Sequence, residues 1–252
     1  MRQILFIYFL IISSIGIVNA QDLENLFEQA NTFYIENEYE QAIQHYDSIS
    51  KQGYESAELY YNIGNSYYKL DQLGKAVLYY ERALLLSPKD EDIEYNLGLV
   101  RMHVVDKLET IPEFFLIRIG KSIQSIFMTD TWSVISIIAF IIGLLTFTIY
   151  FFNKNSGIGK STFIISMLTL IIALMSFNYA RKQKNFLTGH KTAIIMTPSV
   201  TIKGSPDKSG TSLFVLHEGT KVKIVDKVGE WFEIKLSDGN KGWIKNTELE
   251  KI

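Results

Sequence analysis

The sequence contains no cysteine, and only four prolines and three tryptophans in 252 residues. Without a thiol there can be no disulfide, no zinc–thiolate centre and no cysteine nucleophile. Its four histidines, His45, His103, His190 and His217, are scattered, and none has a partner at metal-ligand spacing, so neither a metal nor a cofactor is expected. No G-x-S-x-G motif or paired-carboxylate arrangement stands out. The loop "KNSGIGKS" (154–161) ends like a phosphate-binding G-x-x-x-x-G-K-[ST], but Lys154 stands where the first glycine belongs and no strand precedes it. The residues thus point away from an enzyme. The net charge of −2 hides a contrast between the two ends of the chain. Residues 21–110 carry 17 acidic against 7 basic side chains, and residues 181–252 carry 13 basic against 8 acidic. Two such regions are expected to meet different partners. The basic excess is too diffuse to argue for nucleic acid.

Long apolar runs are present. "MRQILFIYFLIISSIGIVNA" (1–20) has an early cation, Arg2, then an apolar middle and a small-residue end before Gln21, the pattern of a secretory signal peptide. Residues 132–152 and 162–180 hold two runs without a charged residue, each about the 20 residues that cross a bilayer core. Trp132, Tyr150 and Tyr179 at their ends suit the interfacial aromatic belt. A short loop (153–161) joins them. An exported start followed by two spans is expected to place both flanking regions on the same side of a membrane, away from the cytoplasm. Lys154 and Lys160 in the loop agree with positive-inside bias, whereas Arg181, Lys182 and Lys184 oppose it.

Residues 23–56 and 57–90 align without a gap as two 34-residue copies, pairing Ala30 with Gly64, Phe33 with Tyr67, Ala42 with Ala76 and Tyr46 with Tyr80. A partial third copy covers 91–104, where "YNLG" (95–98) matches "YNIG" (61–64). Small residues at positions 8 and 20, with Pro88 closing the second copy, resemble the tetratricopeptide repeat (TPR), an all-α array of helix pairs. The small residues let two helices cross closely. The resemblance places Phe27, Asn31, Tyr34 and Ile35 of the first copy, Tyr61, Asn65, Tyr68 and Lys69 of the second, and Tyr95 of the third on the face that lines a protein- or peptide-binding groove. Asparagine and tyrosine can clamp an extended peptide through donors and acceptors. Residues 105–130 then form a linker with an amphipathic helix. Phe115, Leu116, Ile119, Ile123, Ile126 and Phe127 make its apolar face, which can lie in a membrane interface or cap the repeats.

From about residue 189 the pattern turns to short alternating runs punctuated by Gly and Pro, which suggests five or so strands in a small barrel. "LHEGT" (216–220), "WFEIKL" (231–236) and "DGNKGWI" (238–244) resemble the bacterial SH3 domain, here 189–252. At least one of Trp231 and Trp243 is expected in the core, and gripping a peptide or cell-wall strand is the other role open to each. The whole order of parts, with "VDKLETIPEFF" (105–115), resembles the BatE-type proteins of the bacterial aerotolerance operon. That resemblance implies a non-enzymatic membrane scaffold working beside partners with von Willebrand A-type domains and an associated ATPase. A peptidoglycan-binding envelope sensor is the alternative. The expected fold is a multidomain membrane protein: TPR helices, a two-helix transmembrane hairpin and a small all-β SH3-like barrel.

Overall fold

The computed structural model describes residues 22–108, 114–153, 156–189 and 191–252. The expected signal peptide, the middle of the 105–115 linker with Pro112, Lys154 and His190 lie outside the described residues. The chain divides into two compact units, one joining residues up to 110 with 191–252 and the other covering 111–190.

In the first unit, α1 (22–35), α2 (Tyr39–Lys51), α3 (Ala57–Lys69), α4 (Leu73–Leu86) and α5 (Glu91–His103) form the repeat array. Each complete helix pair turns through a left-handed residue, Asn37 at φ 63° and Asp71 at φ 56°. They occupy equivalent repeat positions, and both residue types tolerate that conformation. Ser56 accepts the Leu59 N–H at 3.0 Å and starts α3, while Asp90 accepts from Asp92 and Ile93 and starts α5. α4 stops at Leu86, two residues before Pro88. Where the helices of a pair cross, Ala30, Ala42, Ala76 and Ala83 are fully buried. A Cβ added to Gly64 would lie 2.9 Å from the Tyr80 ring, so α3 and α4 approach as closely as they do because residue 64 has no side chain.

The barrel has seven strands rather than the five or so that the sequence suggests, because the run through "LHEGT" turns at Gly219 (φ 83°) into two strands and a further short strand follows at 249–251. The seven are β1 (Thr192–Ile195), β2 (Ser199–Lys203), β3 (Ser212–His217), β4 (Lys221–Val228), β5 (Trp231–Lys235), β6 (Lys241–Lys245) and β7 (Leu249–Lys251), in the order β3-β2-β6-β5-β4-β1-β7. Every pairing is antiparallel. Ile195, Ile202, Leu216, Phe232, Ile234 and Ile244 fill its core.

The repeats and the barrel share apolar packing. Ile194 of β1 and the C-terminal Ile252 belong to the same buried cluster as Val77, Leu97, Val100 and Val104, so the barrel supplies part of the apolar cover that the incomplete third repeat needs. Polar contacts fix the register. Asp106 accepts hydrogen bonds from the His217 backbone N–H (2.7 Å) and the Thr220 hydroxyl (2.6 Å), and pairs with His217 Nδ1 (2.9 Å). Glu81 of α4, only 2% exposed, is held by Arg101 of α5 and by Lys221 of β4 at 2.6 Å. Arg82 bridges to Glu250 (2.9 Å) and donates to the Lys251 carbonyl (2.8 Å). The Gly74 N–H donates to Glu218 at 3.2 Å. The opposite charges of the two halves, read in the sequence as a sign of separate partners, are therefore in part complementary to each other.

In the second unit, α6 (Phe115–Gln124) precedes α7 (Thr129–Phe152) and α8 (Ser156–Thr188), which pack as a hairpin. Both hairpin helices are long and apolar enough to cross a membrane. Small residues line their contact: Ala139, Gly143, Ser166, Ala173 and Ser176 are buried there. Ser166 donates to the Gly143 carbonyl (3.0 Å) and Ser136 to that of Ala173 (2.9 Å). Close backbone approach through small residues with interhelical hydroxyl bonds is how helices associate where lipid offers no hydrophobic drive. Trp132 packs on Tyr179 at one end of the hairpin and Tyr150 on Phe163 at the other. The apolar side chains of α6 that are described, among them Phe115, Ile119 and Ile123, are exposed.

Candidate functional site

The expected groove residues separate into two sets. Phe27, Asn31, Tyr61 and Asn65 face their own repeat's second helix. The Tyr46 hydroxyl donates to Asn31 Oδ1 at 2.5 Å, and the Tyr80 hydroxyl donates to Asn65 Oδ1 at 2.6 Å. Phe27 and Tyr61 rest against those same rings at 5.6 and 5.9 Å. The asparagine carbonyls expected to clamp a peptide are thus already engaged within the repeats, leaving the amide N–H groups as the donors available to a ligand. The second set is Tyr34, Tyr68 and Lys69, with Ile35 and Tyr95 strongly exposed beside them in the array.

Tyrosine hydroxyls converge on this surface. Burial raises the Tyr80 phenol well above its ordinary value, and the neighbouring phenols of Tyr61, Tyr34 and Tyr68 raise it further. Burial also raises Tyr34, with Tyr39 and Tyr61 adding to it. These groups stay protonated at any physiological pH, so this surface presents neutral O–H donors and acceptors, with the exposed Lys69 beside them. Two residues beyond the expected set build it. Asn96 Nδ2 donates to the Tyr61 hydroxyl (2.5 Å), and Asn62 Nδ2 to Asn31 Oδ1 (3.2 Å), each tying one repeat to the one before. They are the same repeat position 34 residues apart, inside "YNIG" and "YNLG", so the sequence did carry a signal for them.

On the barrel, Trp231 and Trp243 both lie outside the core cluster, and each is half-buried. This corrects the expectation that at least one would be core. Strand alternation gives the reason. Phe232, Ile234 and Ile244 take the inward positions, so residues 231, 233, 243 and 245 point outward. Glu233 pairs with Trp243 and Trp231 with Lys245, which makes the two indoles diagonal neighbours on one face. Gly242 lets β6 meet β2 there, since a Cβ would come within 2.3 Å of Ile202. Two indoles on one face, with Lys203, Glu233 and Lys245 at the paired positions, suit an apolar ligand face with polar edges.

The "LHEGT" turn has a second use that its sequence does not reveal. His217, Glu218 and Thr220 all bond to the repeat side of the seam, and Gly219 at φ 83° comes so close that a Cβ would lie 2.9 Å from Val104. Burial alone would raise the Asp106 carboxyl. The hydrogen bonds from Thr220 and His217 outweigh that and hold it below its ordinary range.

Two family descriptions fit parts of this chain. Residues 198–250 match the bacterial SH3 domain. Residues 57–90 match the tetratricopeptide repeat. No curated protein matches the chain. Tetratricopeptide repeats suggest protein–protein interaction, and bacterial SH3 domains suggest envelope or peptidoglycan binding. Among the described residues there is no cluster of three metal-ligating side chains.

Proposed function

We propose that the chain is a membrane-anchored, non-catalytic adaptor of the aerotolerance (BatE) type. The repeat groove takes a protein or peptide partner, and the indole face of the barrel takes an envelope component. The observation that carries this reading is the shared core of repeats and barrel, sealed by Asp106, Glu81 and Arg82. Modules that pack together occupy one compartment, and a chain that leaves a membrane and must return to the same side needs an even number of spans. Two apolar helices sit between them in sequence. With an exported N-terminus that compartment is the periplasm and the membrane is the bacterial inner membrane. A partner with a von Willebrand A-type domain is the protein ligand that the overall resemblance implies.

The adaptor is a rigid two-faced platform. A ligand on the groove and another on the barrel are held at a fixed separation, because the seam packs the two modules directly together. The second reading, a peptidoglycan-binding sensor, is favoured by the outward Trp231–Trp243 pair in a domain type suggestive of peptidoglycan binding.

Photocrosslinking in membranes tests both. A benzophenone side chain at Lys69 of the full chain is expected to capture a discrete protein, and one at Trp243 an envelope component. Muropeptide adducts at position 243 with no protein adduct at position 69 would replace the adaptor by the sensor.

A further inference from the structure

Among the described residues of its own unit the third repeat has only its first helix, which leaves the seat of a second helix unfilled within that unit. In the first repeat Ala30 is fully buried, and in the second a Cβ on Gly64 would lie 2.9 Å from the Tyr80 ring. Gly98 is the same repeat position 34 residues later, yet among the described residues nothing lies within 4 Å of where its Cβ would be. Around it Glu91, Glu94, Tyr95, Leu99 and Met102 form one open face of α5. Tyr95 and Met102 are 67% and 63% exposed. The other side of α5 is committed, with Ile93, Leu97 and Val100 buried in the common core.

We propose that this seat binds an amphipathic helix of a partner protein, one with a basic flank and a hydroxyl-free aromatic ring at the crossing. The proposal deepens the adaptor reading and rests on it. A helix fits because a small residue at this position is what lets two helices cross at about 8–10 Å, and both preceding copies use it so. A ring without a hydroxyl fits because the acceptor has gone. Tyr46 and Tyr80 place their hydroxyls on Asn31 and Asn65, whereas Leu99 stands at that position in the third copy. A basic flank fits because Glu91 and Glu94 stand on this face, with Asp92 in the same turn. The second-helix register of this chain itself, residues 107–120, is unsuited to the seat. Leu108 packs against the barrel core, Asp106 is bonded to the barrel, and Pro112 would fall inside the helix.

The full chain in lipid nanodiscs is titrated with a labelled peptide of residues 73–86, the occupant of the preceding seat, carrying Tyr80→Phe and Glu81→Lys; empty discs are the blank. The wild type is expected to bind it. Gly98→Leu, which fills the seat at an open helical position, is expected to weaken binding at least tenfold. Restoring tyrosine at the crossing in the peptide is expected to weaken it about tenfold, the scale of one unpaired hydroxyl. Lys208→Ala, on an exposed loop of the barrel, is expected to leave it unchanged, and the groove is read separately by crosslinking at position 69, so a failed seat and a failed groove give different results. Equal binding by wild type and Gly98→Leu overturns the proposal. So does binding that emerges only after Phe114→Ser, since the chain's own segment would then fill the seat.

Discussion

Asp106 and His217 stand 111 residues apart in sequence and are joined twice, backbone N–H to carboxylate at 2.7 Å and ring Nδ1 to carboxylate at 2.9 Å. Together with Thr220 they fasten the end of the repeats to the barrel. Asp106→Ala leaves the His217 N–H and the Thr220 hydroxyl without their acceptor. A loss of about 2–4 kcal/mol is expected in denaturant unfolding, on the scale of a broken buried network. The repeats and barrel are also expected to lose their single transition, because this seam is what couples them.

The same carboxylate gives the seam a pH dependence. Its folded pKa lies below its ordinary 3.8, so its contribution is complete above that value and is lost as pH falls through the lower folded value. Thermal unfolding of the wild type is expected to weaken below about pH 4 more steeply than that of Asp106→Asn. Asp47 works in the opposite sense. Burial raises it, against the pull of Lys51, Lys75 and Arg82, so Asp47→Asn is expected to raise the melting temperature at pH 7.

Glycines at one repeat position are expected to respond in opposite ways. Gly64→Val drives a branched side chain into Tyr80 and should destabilise by about 1–3 kcal/mol. Gly98→Ala meets nothing within 4 Å among the described residues and should stabilise by up to about 1 kcal/mol through helix propensity. Circular dichroism melts of both variants measure the contrast.

The Tyr80–Asn65 pair is tested by a double-mutant cycle. Tyr80→Phe alone should cost about 1 kcal/mol, since Asn65 Oδ1 loses its donor. Adding Asn65→Leu, which copies Leu99 of the third repeat, should recover most of that loss. Additive losses would show that the hydroxyl and the amide act separately.

Much of this architecture can be read from the sequence because it is periodic. The 34-residue recurrence places Gly64 against Tyr80, and strict alternation from 231 to 236 places Phe232 and Ile234 inward. The same alternation puts Trp231 and Trp243 outward, and weighing tryptophan as a core residue obscured it. The seam was hidden for a different reason. Its partners, Glu81 with Lys221 and Asp106 with His217, are separated by more than a hundred residues and the apolar hairpin. Glu81 did leave a trace, as an acid among Val77, Leu78 and Tyr80 on the buried side of α4. The asparagines misled because Asn31 and Asn65 look like ligand clamps, while the tyrosines that occupy them lie 15 residues away.

Thiol accessibility tests the central claim, that repeats and barrel share one compartment outside the cytoplasm. The natural sequence has no cysteine, so single replacements at the exposed Gln52 and Ser237 can be labelled without background. Cells with a permeabilised outer layer receive a membrane-impermeant maleimide, and the same samples are repeated in detergent. The two-faced adaptor predicts that both positions label before lysis. If Gln52 labels and Ser237 reacts only after lysis, the seam cannot exist in the membrane and the adaptor account is wrong.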